Sequence, residues 1–146
     1  MKKIMLCFLV LFCCFNSNAQ TAVDSVKAVI NKMFAAMKNS DAAGLQDCLA
    51  DSAILQTITS SGMVRNESIK QFIAQISSLP KNAADERITF DVVKTDNGLA
   101  MAWTPYQFYY NGKFSHCGVN AFQLVRLNGA WKIQYIIDTR RKNGCL

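Results

Sequence analysis

The chain has 146 residues, of which 51% are hydrophobic and 18% charged, and its formal net charge is +6. This length suits one domain. The positive charge is spread along the sequence, and the single basic run, Arg140-Arg141-Lys142, is interpreted as a solvated strand end, so we expect no nucleic-acid partner. With one histidine, His116, and no paired-cysteine spacing, we expect no metal site and no cofactor.

The first nineteen residues have the pattern of a secretory signal. Two early lysines precede an apolar run over residues 4–15, and Ser17 and Ala19 place small residues before a cleavage point. The run is shorter than the ~20 residues of a membrane span, so no stable membrane anchor is expected after cleavage. Lipid attachment at Cys13 or Cys14 is the alternative. We predict a cleaved signal over 1–19, a domain over 20–146, and export to the periplasm or the medium.

The first half of the domain has the spacing of helices. Apolar residues recur every three or four positions from Thr21 to Asn39, which predicts an amphipathic helix that begins at Thr21. Ser40 or Asp41 can cap a second, short helix, and a strand is predicted over residues 53–59. A third helix is predicted from a cap at Asn66 to Pro80, because proline cannot continue the helical hydrogen bonds.

The second half has the alternation of strands. Three turn signals, Asp96-Asn97-Gly98, Asn111-Gly112 and Asn128-Gly129, separate strands predicted near 87–95, 99–110, 113–127 and 130–141. Helices followed by a strand meander predict an α+β fold, in which three helices from the N-terminal half pack on the concave face of a curved antiparallel sheet.

Two groups of residues carry a family resemblance. The stretch from Phe34 to Asp41, followed by Leu49-Ala50-Asp51-Ser52-Ala53, resembles the helix, turn and first strand of the nuclear-transport-factor-two-like superfamily, and Gly129-Ala130-Trp131-Lys132-Ile133 resembles the start of its last strand. The superfamily includes ketosteroid isomerases, SnoaL-like polyketide cyclases and many exported proteins of unknown role. The resemblance implies its cone-shaped, cystatin-like fold and a pocket, but no particular chemistry.

The isomerase branch of the superfamily can be compared residue by residue. Thr57 stands where those enzymes have an aspartate base, and Met33 stands where they have an oxyanion tyrosine. Asn120 matches the position of their second oxyanion donor. Threonine is no useful base near neutral pH and methionine donates no hydrogen bond. The resemblance therefore implies no ketosteroid isomerisation, although Asn120 could still polarise a carbonyl.

The two Asn-Gly turns also predict which residues face each other. If both are two-residue loops, Tyr110 pairs with Lys113 and Leu127 with Ala130. Trp103 would then lie beside Asn120 on the helix-facing side, within an apolar face that becomes polar at one end. The predicted ligand-binding residues are Trp103, Gln107, His116, Asn120, Phe122, Tyr135 and Arg141.

Three functions fit this face. The first is binding of a small apolar molecule with one polar group. The second is a lyase or isomerase in which His116, Asn120 and Arg141 are the catalytic candidates. The third is a module that forms a homodimer through the exposed sheet face. The alternative to any site is a packed core whose polar residues are satisfied by hydrogen bonds. His116 and Cys117 are adjacent, so a regular strand points them to opposite faces and they form no nucleophile–base pair.

Three cysteines, Cys48, Cys117 and Cys145, follow the predicted signal. Asn143-Gly144 could turn the tail back toward the sheet, so a Cys117–Cys145 disulfide is a hypothesis for an oxidising compartment.

We expect the exported protein to begin at Gln20. The expectation follows from the order of basic, apolar and small residues in the leader. Intact mass spectrometry of protein recovered outside the cytoplasm is the measurement, and a mass that still includes residues 1–19 would contradict it.

Overall fold

The computed structural model describes residues 15–59 and 61–145, with side chains from residue 20 onward, so most of the predicted signal lies outside the described residues. Three helices pack on one face of a curved, unclosed sheet, which confirms the predicted α+β class and cone-shaped architecture. No helix within the described residues is long and apolar enough to cross a membrane.

The elements follow one another in two blocks. The first block consists of α1 (Phe15–Lys38), α2 (Ala42–Cys48), β1 (Leu49–Ile58), β2 (Val64–Glu67) and α3 (Ile69–Ser77). The second consists of β3 (Ala84–Ile88), β4 (Val92–Asp96), β5 (Leu99–Tyr110), β6 (Lys113–Leu127) and β7 (Ala130–Thr139). The strand order is β2-β1-β7-β6-β5-β3, and β4 pairs with the other half of β5. Only the β1–β7 pair is parallel among these strands.

Two helices, α2 and α3, begin at a residue whose side chain accepts a hydrogen bond from a free backbone amide. The Asp41 side chain accepts a hydrogen bond from the Gly44 amide at the start of α2, as predicted. The start of α1 at Phe15 corrects the predicted start at Thr21, because no glycine or proline precedes Thr21 to end the helix.

One helix-cap prediction and one strand prediction were wrong. Asn66 does not cap α3, because it lies in β2 and accepts a 2.7 Å hydrogen bond from Gln56 Nε2 across the strand pair. Ser68 caps α3 instead. The strand predicted over 87–95 is divided into β3 and β4, and both pair with β5. The division lies opposite Pro105, which accepts a bond from the Thr89 amide but has no amide hydrogen to return.

The three hairpin turns are confirmed, and so are the predicted pairs Tyr110–Lys113 and Leu127–Ala130, but the predicted registers farther from the turns are wrong. All three turns are two-residue loops, with Asn97, Asn111 and Asn128 at positive φ. Beyond the turns, two β-bulges each insert one residue. In β6, Tyr109 faces Phe114 but Phe108 faces His116, so Ser115 is the inserted residue.

The second bulge lies in β7. Leu124 faces Ile133, but Gln123 faces Tyr135, so Gln134 is inserted. Because side chains alternate along a strand, each one-residue shift exchanges the faces of everything beyond it.

The core lies between α1 and the sheet. Buried apolar side chains line the inner face of α1, and the ring of Phe34 meets that of Phe122 edge-on at a centroid distance of 6.1 Å. The largest fully buried apolar side chains are Phe122, Ile30, Leu45, Leu124, Ile133 and Val26. This packing holds α1 against the middle strands and leaves the far end of the concave face open for a cavity.

The C-terminal tail is fixed to β6. Cys117 and Cys145 form a disulfide with a Cα–Cα distance of 5.8 Å. The backbone groups of Cys117 and Arg141 also exchange two hydrogen bonds, of 2.8 and 2.9 Å. The tail therefore continues the β6–β7 ladder past Thr139, and Cys48 is a free, buried thiol.

Candidate functional site

A cavity of about 420 Å³ lies between α1, α3 and the concave face of the sheet. Its wall is mostly apolar, with Met33 and Phe34 from α1 and Ile69 and Phe72 from α3 among the lining residues. The sheet contributes Phe122 and a polar group, which consists of Glu86, Tyr106, His116, Asn120, Asp138 and Arg140. A cavity with an apolar wall and a few convergent polar groups is typical of small-molecule sites.

Asp138 is the centre of the polar group. Its Oδ2 accepts bonds from the Tyr106 hydroxyl at 3.1 Å and from Arg140 Nε at 2.9 Å. Its Oδ1 accepts a bond from the Thr57 hydroxyl. The three donors come from β1, β5 and the end of β7, so one buried carboxylate joins three parts of the sheet beneath the cavity.

Gly118 makes room for Tyr106. The two residues face each other across β5 and β6. A methyl group at position 118 would overlap the Thr139 carbonyl oxygen and lie 2.8 Å from Tyr106 Cε1. The absence of a side chain therefore lets the ring lie over β6 and extend its hydroxyl to Asp138 and, at 2.9 Å, to the Thr139 carbonyl oxygen.

Glu86 and Asn120 form the second polar pair. Asn120 Nδ2 donates a 2.7 Å hydrogen bond to Glu86 Oε1, and Asn120 itself is buried. The neighbouring Asp85 makes ion pairs with Lys38 at 3.1 Å and Arg87 at 3.0 Å. Because Glu86 is partly buried and has no ion pair among the described residues, its charge is the least compensated in the cavity.

Burial has different consequences for the titratable groups. It raises the pKa of Glu86 to about 7; the nearby Asp138 charge adds to the rise and the Asn120 bond opposes it. The pKa of Tyr106 is raised by burial and by the Asp138 and Glu86 charges, so its hydroxyl stays protonated. Burial, together with the Arg140 charge, lowers the pKa of His116. Near neutral pH the site therefore holds a neutral imidazole and a carboxyl that readily exchanges a proton.

His116 lies among aromatic rings at one end of the cavity. Its ring centroid is 5.0 Å from that of Phe108 and 5.7 Å from that of Tyr106. Its Nδ1 is 3.1 Å from the Ser115 hydroxyl. The bulge at Ser115 creates no His116–Cys117 nucleophile–base pair, since the Cys117 sulfur is bonded to Cys145.

The predicted site residues fall into two groups. His116, Asn120 and Phe122 line the cavity. The other four lie on the opposite, convex side of the sheet. Trp103 pairs with Ala121, Tyr135 pairs with Gln123, and both Gln107 and Arg141 pair with Cys117.

The predicted pairing of Trp103 with Asn120 is therefore wrong. Trp103 faces Ala121 and is 42% exposed, whereas Asn120 faces Thr104. The cause is the Ser115 bulge, which the turn signals do not reveal. The catalytic trio of His116, Asn120 and Arg141 is not assembled either, because the bulge in β7 leaves Arg140, and not Arg141, at the cavity.

Sequence reasoning missed Glu86, Tyr106, Asp138 and Arg140. The strand was predicted to begin at Arg87, which left Glu86 in a loop. The alternation of Ala84, Glu86 and Ile88 was the available signal, because it puts Glu86 on an otherwise apolar face. Among the described residues, no group of three or more His, Cys, Asp or Glu side chains could hold a metal ion.

The fold is that of the nuclear-transport-factor-two-like (NTF2-like) proteins. A protein of unknown function from Silicibacter pomeroyi matches with a TM-score of 0.69 and 16% identity, over 84% of this chain and 98% of that one. One from Shewanella baltica matches with a TM-score of 0.68 and 11% identity, over 84% and 96%. A cystatin-like domain of unknown function from Nostoc punctiforme matches with a TM-score of 0.66 and 17% identity, over 85% and 80%. At these identities the likeness shows the fold alone.

The sequence defines the family more narrowly. Residues 21–135 match the model of the family described as "Putative lumazine-binding", and the chain belongs to that family. No match was found among curated protein sequences.

We expect Glu86→Gln to stabilise the protein above neutral pH. The folded pKa of about 7 exceeds the ordinary value of 4.5, so the folded state holds the proton more tightly and stability falls as pH rises between these values. Glutamine keeps a carbonyl acceptor for Asn120 and carries no charge. The expected gain in the free energy of unfolding is about 1–3 kcal/mol at mildly alkaline pH and near zero at acidic pH.

Urea unfolding across this pH range measures the difference. Asp96→Asn, at an exposed hairpin turn, is the control for loss of one carboxylate. Parallel stability curves for Glu86→Gln and the wild type would contradict the expectation.

Proposed function

We propose that the protein is an exported binding protein for a small, mostly apolar molecule with one polar group, held in the concave cavity. The observation that carries the proposal is the cavity itself, about 420 Å³ enclosed by two helices and the sheet, with an apolar wall and the Glu86–Asn120 pair. Burial of apolar surface supplies most of the affinity at such sites, and a few polar groups fix orientation. The family description, which names lumazine binding, supports a small-molecule role.

We expect Leu55→Trp to weaken ligand binding and Ile54→Trp to leave it unchanged. Leu55 lines the cavity, whereas Ile54 is 50% exposed, because adjacent strand residues point to opposite faces. A tryptophan at 55 would fill part of the cavity, and we expect a loss of about tenfold or more in affinity.

Lumazine, followed by its own fluorescence, is the first ligand to titrate. Native mass spectrometry of the exported protein tests for a ligand carried through purification, whatever its identity. Equal binding by both tryptophan variants and the wild type would place the ligand outside the cavity and contradict the proposal.

A second role is favoured by the convex face of the sheet. Leu99, Met101 and Trp103 alternate along β5 and are each at least 42% exposed, and Val92 lies beside Trp103. A contiguous apolar patch of this kind marks protein interfaces, and we propose that it joins two copies of the chain.

We expect Trp103→Glu to convert a dimer into a monomer, since it would bury two unpaired carboxylates at such an interface. Sedimentation velocity measures the change. Met63→Glu, at an exposed apolar residue between β1 and β2, is the matched control. A wild-type protein that sediments as a monomer across the accessible concentration range would exclude this interface.

A further inference from the structure

We propose that Glu86 and Asn120 bind the edge of a cyclic amide, such as a lactam or imide in a flat ring. The Glu86 carboxyl donates a hydrogen bond to the ring carbonyl oxygen, and the Asn120 carbonyl oxygen accepts one from the adjacent ring N–H. This inference rests on the proposed function and names the class of ligand that the cavity binds.

The inference begins with the hydrogen bonds that the pair already makes. Asn120 Nδ2 donates to Glu86 Oε1 at 2.7 Å. No other described residue bonds to the second Glu86 oxygen or to Asn120 Oδ1. Among the described residues, the fully buried side-chain atoms that lack a hydrogen-bond partner are Ser40 Oγ and Thr104 Oγ1. The two free atoms of Glu86 and Asn120 are not among them. Since both residues line the cavity, these two free atoms are available to a ligand beside the existing bond.

The charges of the cavity favour a neutral ligand. Its charged and titratable groups besides Glu86 are Arg65, Glu67, Tyr106, Tyr110, His116, Asp138 and Arg140. These include two ion pairs, Arg65–Glu67 and Arg140–Asp138, and α1 and α3 contribute only uncharged side chains to the lining. An anionic ligand would be repelled by Asp138 and a cationic one by Arg140, whereas a neutral ring has neither repulsion.

The protonation of Glu86 determines the direction of its hydrogen bond. A neutral carboxyl has one O–H donor, while a carboxylate only accepts. With a pKa of about 7, Glu86 keeps its donor at and below neutral pH. Next to it, Asn120 Oδ1 is an acceptor. A donor beside an acceptor is the complement of a –C(=O)–NH– edge, and the surrounding phenylalanine rings suit a flat apolar body.

The test compares three ring compounds of nearly equal size by calorimetry: quinolin-2(1H)-one, its N-methyl derivative and naphthalene. We expect the lactam to bind about tenfold or more tightly than either of the others. Its affinity should fall about tenfold or more as pH rises from about 6 to about 9, because the Glu86 donor is lost. The lowered pKa of His116 moves its titration toward acid, away from the alkaline end of this range.

Two variants separate recognition from folding. Glu86→Gln, which retains a donor and an acceptor, should bind the lactam with an affinity that no longer changes with pH. Glu86→Leu should bind all three rings alike. Asp85→Asn, at the neighbour that pairs with Lys38 and Arg87, is the control and should keep the wild-type preference. Circular dichroism checks that each variant is folded.

The outcomes distinguish this inference from the proposed function. If all three rings bind wild-type protein equally and Glu86→Gln changes nothing, the cavity binds small molecules but the amide recognition is wrong. Tighter binding of protonated 2-aminoquinoline than of the lactam would show a cation site and would also overturn it. If no ring binds and no ligand is carried through purification, both this inference and the proposed function fail.

Discussion

One extra residue in β6, Ser115, determines which side chains the sheet presents to its helices. Without this bulge, Trp103 would point into the cavity and Tyr106 would point away from it. With it, Thr104, Tyr106 and Phe108 share the concave face with His116 and Asn120. The bulge in β7 has the same effect on Asp138 and Arg140. The complete polar group of the cavity exists only because both insertions are present, since either one alone would put two of its six members on the convex side.

The sequence predicted the features that depend on local chemistry and missed those that depend on the exact number of residues in each strand. The helices, the Asp41 cap and the three Asn-Gly turns have residue types that favour them, and the predicted fold class followed from their order. The β6 members of the site, His116 and Asn120, were placed on the correct face by their own alternation. Partners on neighbouring strands were not, because nothing about Ser115 or Gln134 marks them as inserted residues. Glu86 was missed for a different reason, since its strand was predicted to begin at Arg87, three residues after its actual start at Ala84.

The contrast between Asp85 and Glu86 shows how one strand provides two electrostatic environments. Asp85, although buried, pairs with two cations on the side of the strand away from the cavity, whereas Glu86 lines the cavity and meets an amide. The stabilising contacts of the strand therefore come from the outward carboxylate, and the inward one is free to respond to a ligand. Such an uncompensated, partly buried charge lowers the stability of the empty fold, and a bound ligand that satisfies it would recover the loss.

The free thiol of Cys48 bears on how the Cys117–Cys145 bond forms. In an oxidised unfolded chain Cys48 could pair with either of the other two cysteines. Once α2 docks, its sulfur is buried, and burial raises the pKa of the thiol, so little of the reactive thiolate remains. Attack on the tail disulfide by thiol–disulfide exchange is then suppressed. Docking of α2 therefore protects the native disulfide, because it removes the Cys48 thiolate that could otherwise attack the Cys117–Cys145 bond.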